Sequence, residues 1–315
     1  MKDLPLVDLS LDVVGGVPAS LLRAMAAERR LDLAGLFTAE GGYRLDAPGG
    51  WWKVWETAAA IPAAPRDWVR IVGALVEEQV ANGVVYCEIR VSPQFCGGFD
   101  PGAWRETLHA MREAAEGQGV DLRLTATAFA HRGPEAARRA ALCAAETAGD
   151  FVTGFALSGE TARPKDHAWA FDCAREAGLG LVAEAHGPAA VRDVRRDLRP
   201  DRVSGGSGLL SDLALVDELA EAGTLVAICP GEDIALGRVA DWRRHPAGQL
   251  FDRGVRLAPC SGAPAFAGPG LAGISARLHD AFDWDEGVFH TLAQTALDAA
   301  FCDADTRARI HKRLT

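Results

Sequence analysis

Along the chain, short apolar runs alternate with longer stretches whose apolar residues recur every three or four positions. The short runs cover residues 7–13, 84–91, 122–129, 151–157, 179–185, 202–204, 224–229 and 255–259, and they are rich in Val, Ile, Leu and Phe. Runs of that length and content predict buried strands. The sixth is the shortest and carries the weakest signal. The longer stretches predict helices over 68–82, 101–117, 134–148, 167–177, 188–198 and 211–222. In the first of these, Val69, Val72, Leu75, Val76 and Val80 form one stripe. Several open on Pro and close near Gly, as helix ends do. Two further helical stretches, 19–33 and 51–61, are inserted after the first strand, and a helical tail follows the eighth at 268–281 and 285–301. Eight repeated βα units predict an α/β fold, a (β/α)8 TIM barrel formed as one domain over 1–315.

Side chains at the carboxyl ends of such strands meet at one mouth. On this reading the mouth receives Ser10, Asp12, Glu88, Arg90, Gly159 and Glu160 from the first half of the chain. From the second half it receives Glu184, His186, Gly205, Glu232, Asp233, Cys260 and Ser261.

Composition narrows the function. The chain has 315 residues, 49% hydrophobic and 24% charged, enough for one large barrel. A net charge of −10 repels phosphate backbones, which argues against nucleic acid as a partner. Seven cysteines, at 87, 96, 143, 173, 229, 260 and 302, show no CxxC pair. Scattered thiols of this kind fit a reducing, cytoplasmic setting. The N-terminus, MKDLPLVDLS, has no leader-type apolar core, and no run is long enough to span a bilayer. No cofactor is expected.

Five segments then carry a resemblance. They are GVVYCEIRVSP at 83–93, VTGFALSGE at 152–160, RVSGG at 202–206, ICPGED at 228–233 and GVRLAPCSGAPAF at 254–266. In this order, each at a strand end, they resemble the adenosine deaminase family of zinc amidohydrolases over nearly the whole chain. The resemblance implies a zinc site and a purine pocket, and the residues at the implied positions are not the family's. The first-strand zinc histidines fall on Ser10 and Asp12, and the fifth-strand histidine falls on Glu184. The general-acid glutamate falls on Gly187, and the sixth-strand histidine on Gly205. The eighth-strand zinc aspartate falls on Gly262, and its neighbour on Ala263. Only the glycine of the fourth-strand motif is retained, as Gly159, whose backbone N–H would face a purine ring nitrogen. A zinc ion needs about four N, O or S ligands converging at ~2.0–2.3 Å. Ser and Gly do not supply them, so zinc deamination is expected to be absent and the site metal-free.

Other residues allow two readings each. Asp12, Glu184 and His186 are ligands of a rebuilt metal site or polar fillers of a wet mouth. His186 is an acid/base or a solvated loop histidine. Cys260 is a nucleophile or core packing. Glu232 and Asp233 contact a ligand or face solvent. Trp51, Trp52 and Trp55 lie in the insertion that roofs the family's pocket and stack on a planar ligand, or Trp52 and Trp55 pack the insertion onto the barrel. Glu88 and Arg90 fall at family positions of a structural kind, pairing within the barrel rather than reacting.

Three functions stay open. The first is a pseudoenzyme that binds a purine, a nucleoside or a partner protein through Gly159, Glu232, Asp233 and Trp52. The second is a metal-independent enzyme acting through Asp12, Glu184, His186 or Cys260. The third is a structural partner of an active homologue, or of a second copy of this chain. Carboxylates crowded at one mouth are also expected to raise one another's pKa values, with a lid residue such as Arg44 as a counter-cation.

Overall fold

The apolar runs do form strands, and their spacing leaves room for the crossover helices that parallel pairing requires. A computed structural model describes residues 4–33, 35–45 and 50–315. Residues 1–3, part of the N-terminus read for a leader, lie outside them. The strands are β1 (Leu6–Asp12), β2 (Val84–Val91), β3 (Asp121–Phe129), β4 (Val152–Ser158), β5 (Gly180–Ala185), β6 (Arg202–Gly205), β7 (Leu225–Ile228) and β8 (Arg256–Pro259). They lie in one sheet in chain order, each parallel to the next. The ring closes at the mouth, where Leu11 bridges Gly262. There Asp12 N–H donates to Gly262 O at 2.7 Å, and Gly262 N–H donates to Ser10 O at 2.8 Å. The fold is a TIM barrel with helices after β1 and a helical C-terminal region.

A bulge in β1 aims the residues that matter. Asp8 pairs with Cys87 and Leu11 with Ile89, so three steps on β1 face two on β2. One extra residue switches the inward face of a strand. Val7 and Leu9 pack in the lower barrel interior. Past the bulge, Ser10 and Asp12 line the spaces at the upper end.

The helix Pro65–Ala81 buries Trp68, Ile71, Val72, Leu75, Val76 and Gln79. The buried stripe is therefore turned from the expected one, and Val69 and Val80 stand 37% and 44% exposed at its edges. A helix in contact with the barrel along one line buries the i, i+3, i+4 row and leaves the flanking valines out. The pattern also missed the helices Pro230–Ala235 and Ala247–Asp252, each too short for a 3.6-residue repeat to show. It stopped short of the polar Ala304–Leu314 as well. Among the described residues no helix is long and apolar enough to cross a membrane.

At the foot of the barrel, Glu88 ion-pairs with Arg202. Glu88 Oε1 also accepts from Tyr86 Oη at 3.1 Å and from Phe301 N–H at 2.7 Å. The Phe301 ring lies 3.6 Å from the Arg202 guanidinium. It fills the space above Gly180, where any Cβ would collide with it. Every charged group of this buried pair thus has partners, which is the condition for tolerating it there.

Candidate functional site

The mouth holds a cavity of about 280 Å³. Trp51, Trp52 and Trp55, from the helix Gly50–Ala59, wall one side with Phe129 at the end of β3. Asp12, Arg90, Glu184, Glu232 and Arg238 supply its charges. A larger opening of about 900 Å³ surrounds Phe301 and Arg256 at the amino ends of the strands. In barrels of this type the chemistry sits at the carboxyl ends, so the smaller cavity is the candidate site.

Asp12 ends β1 and is committed to the local chain. Its Oδ1 accepts from Val14 N–H at 3.0 Å, from Gly15 N–H at 2.6 Å and from Trp55 Nε1–H at 2.7 Å. The last bond pins the tryptophan-bearing helix to the barrel. Trp55 is buried, whereas Trp52 is 36% exposed at the rim and meets Phe129 and His131 ring to ring at 5.6 and 5.0 Å.

Glu184 is also fully engaged. Oε2 accepts from Ser158 Oγ at 2.9 Å and from Gly159 N–H at 2.8 Å. Oε1 takes His186 Nε2–H at 3.1 Å, with Arg238 at 3.7 Å. Burial alone would raise its pKa. The His186 bond and charge, the Gly159 N–H and Arg90 outweigh burial and hold the carboxyl well below the usual range. Burial likewise opposes charge on His186, yet the Glu184 hydrogen bond and charge raise its pKa. Gly159 therefore spends the N–H expected for a purine nitrogen on Glu184.

The other face of His186 looks at Ser207 Oγ, 3.2 Å away, and at Asp233 Oδ1, 3.6 Å away. Asp233 is buried and bonds His245 Nε2 at 3.3 Å and Arg238 at 3.3 Å. It stands behind the cavity wall, in the first turn of the short helix Pro230–Ala235. His186 and Arg238 thus both bridge Glu184 and Asp233, a ring of alternating charge. Glu160 accepts the His186 backbone N–H at 3.0 Å from outside this ring.

Two glycines have their space taken by neighbours. A Cβ on Gly205 would lie 2.9 Å from His186 Nδ1 and Cε1. A Cβ on Gly262 would collide with the Glu232 carboxylate. A histidine just past β5 and a glutamate following β7 therefore occupy the volume beside Gly205 at the end of β6 and Gly262 beyond β8. Glu232 lies 3.6 Å from Arg90, a coulombic contact too long for a hydrogen bond. Burial raises its pKa, Arg90 lowers it, and Glu184 and Asp12 add to the rise, leaving it at about 7.

Several expectations change here. The mouth is not an uncompensated acidic cluster: Glu184 is pushed down rather than up, and Arg90, Arg238 and His186 share the field. Arg44 is no counter-cation; it is directed to Phe37 O at 3.4 Å on the exposed surface. Arg90 does not pair with Glu88, which is held by Arg202 at the foot. Cys260 is fully buried and outside the cavity lining; its Sγ donates to Ala258 O at 3.4 Å, and burial pushes the thiol far up. Sequence reasoning named Trp51 with the roof of the pocket and missed Phe129, Ser158 and Arg238 as lining residues. Arg90 was on the mouth list, and its place two residues beyond Glu88 on β2 was the available signal.

The profile of the adenosine deaminase family matches residues 49–315. This chain belongs to the adenosine deaminase family. Adenine deaminases from Rhizobium leguminosarum bv. trifolii and Agrobacterium fabrum are each 32% identical to it. The first match covers 98% of this chain and 98% of the relative, and the second 95% and 94%. Among solved structures, the adenine deaminase from Arthrobacter aurescens superposes with a TM-score of 0.84 at 19% identity, covering 99% of this chain and 98% of that one. An amidohydrolase from Burkholderia ambifaria with bound Zn reaches 0.87 at 20% identity, over 99% and 90%. At that identity these structures speak to the shared fold.

The positions that the resemblance assigns to zinc carry Ser10, Asp12, Glu184 and Gly262. Glu184 is engaged by the protein through both oxygens and Asp12 through Oδ1, and Ser10, Gly205 and Gly262 offer no ring nitrogen or carboxylate. A guanidinium, Arg90, already stands among Asp12, Glu184 and Glu232. Among the described residues no group of three or more His, Cys, Asp or Glu side chains is disposed to hold a metal ion.

Proposed function

We propose that this adenosine deaminase family member is a pseudoenzyme for zinc deamination that binds a small planar ligand, of the purine or nucleoside class, in the aromatic cavity at the barrel mouth. The observation that carries the reading is Arg90. A buried cation held among the three acidic side chains of the cavity replaces, in charge, what the family's site takes from a metal. The tryptophan wall and Phe129 support a flat ligand, since aromatic faces and edges pack well against planar rings. A volume near 280 Å³ lies at the low end of the ~300–1,000 Å³ usual for ligand pockets, which favours one or two rings.

The test has two arms. Elemental analysis of the purified protein should find no stoichiometric zinc, and adenine and adenosine should not lose ammonia above a buffer control. About one zinc per chain with turnover would overturn the reading. Purines and nucleosides should raise the melting temperature by mass action.

One observation favours a second reading, metal-independent catalysis. Glu232 faces the cavity with a pKa of about 7, suited to proton transfer near neutral pH. Cys260, buried and held as a thiol, lends it no support. A substrate screen in which Glu232→Gln abolishes a turnover would replace binding with this reading.

A further inference from the structure

Arg90 has more hydrogen-bonding capacity than the protein uses. Its side chain is only 13% exposed, yet its sole described ionic partner, Glu232, is 3.6 Å away. Its Nε is buried and has no partner. Arginine carries five N–H donors in a rigid planar fork and accepts nothing. Buried donors of this kind are normally satisfied, and leaving them unmade is costly. Neither neighbouring carboxylate bonds Arg90: Asp12 Oδ1 accepts from Val14, Gly15 and Trp55, and Glu184 accepts from Ser158, Gly159 and His186.

Resting on the planar-ligand reading above, we infer that the ligand carries a carboxylate, which docks on the Arg90 fork while its ring lies against Trp51, Trp52 and Phe129. Fork and carboxylate are both planar and match bidentately. A doubly charged phosphate suits the place less well, because Asp12, Glu184 and Glu232 all face it. Glu232 is the movable member. It reaches Arg90 across space that Gly262 leaves free, and a ligand carboxylate takes its place. The groups facing Glu232 are the carboxyls of Asp12 and Glu184, the guanidinium groups of Arg90 and Arg238, and the Cys229 thiol, which burial keeps protonated. A further anion at Arg90 therefore favours uptake of a proton by Glu232.

Three probes test this by calorimetry on the full-length protein: indole-2-carboxylate, its neutral carboxamide, and adenine. The carboxylate should bind about ten- to a hundredfold more tightly than the carboxamide, the usual worth of a charge-assisted hydrogen bond. That preference should vanish in Arg90→Met and fall in Arg90→Lys, which keeps the charge and loses the fork. Glu232→Gln keeps the cation and should bind the carboxylate more tightly than the parent at pH 8. Titration of the parent in buffers of different ionisation enthalpy should show net proton uptake, lost in Glu232→Gln. Equal binding of carboxylate and carboxamide, adenine binding in preference to both, or a carboxylate preference that survives Arg90→Met would overturn the carboxylate and leave the planar cavity standing. No binding of any of the three would overturn both.

Discussion

The barrel buries two arginine–glutamate pairs, one at each end, in opposite condition. At the foot, Glu88 and Arg202 are in contact, and Tyr86, Phe301 and the Ala299 carbonyl complete their hydrogen bonds. At the mouth, Arg90 and Glu232 stand 3.6 Å apart, and the guanidinium has spare donors. Both pairs are taken out of most of their water, and burying a charge is costly wherever it is done. Only the foot recovers that cost within the protein. On the proposed reading, the foot is structure and the mouth is a site that a ligand completes.

The comparison breaks first at the foot. Arg202→Met leaves the Glu88 carboxyl fully buried and without its cation, which should lower unfolding stability by about 3–5 kcal/mol. The matched Arg90→Met should cost clearly less, because Glu232 can neutralise itself by taking a proton. Denaturant midpoints of the two variants measure the difference. Equal losses would mean that the mouth pair is structural too.

Glu232→Gln probes the mouth from its other partner. The folded pKa of about 7 lies above the usual 4.5, so the folded state binds the extra proton between those values. Parent stability should fall as pH rises through that window. The glutamine variant lacks this term and should overtake the parent toward pH 8, by on the order of 2 kcal/mol. A parallel pH profile for the two proteins would show Glu232 to be an ordinary paired carboxylate.

The fold was legible because strand period and βα order are properties of runs, and runs survive changes of single residues. Eight strands lie where Val, Ile and Leu cluster. Their ends move by a residue or two, because the last pairing depends on the neighbouring strand. The site was legible as a list of mouth residues and not as a geometry. Nothing local to Gly205 or Gly262 says that His186 and Glu232 fill their space; that follows from register between strands far apart in sequence. Asp233 shows the same limit. It sits beside Glu232 in the chain, but the turn of the helix Pro230–Ala235 sends one carboxylate into the cavity and the other behind its wall to His245. Arg238, beyond that helix, carried no signal in sequence at all.

The smallest effect concerns the ring of alternating charge beside the cavity. His186 lies between Glu184 and Asp233, with Arg238 bridging the same two carboxylates. Its folded pKa is raised above the ordinary 6.5. The stability it contributes is therefore fully present below pH 6.5 and is lost as pH rises through the folded value. Glu184, held low, stays ionised across this range and contributes no slope of its own there. His186→Asn keeps a donor toward Glu184 and cannot take the charge. It should cost about 1 kcal/mol at pH 5.5 and approach the parent above pH 8, as a charge-assisted hydrogen bond becomes a neutral one. The difference between the two denaturation curves, followed over pH, isolates that charge from the slope of Glu232, which both proteins share. A difference that is constant with pH would mean that the imidazole acts by packing above Gly205 alone. The mouth would then differ from the foot only at Arg90.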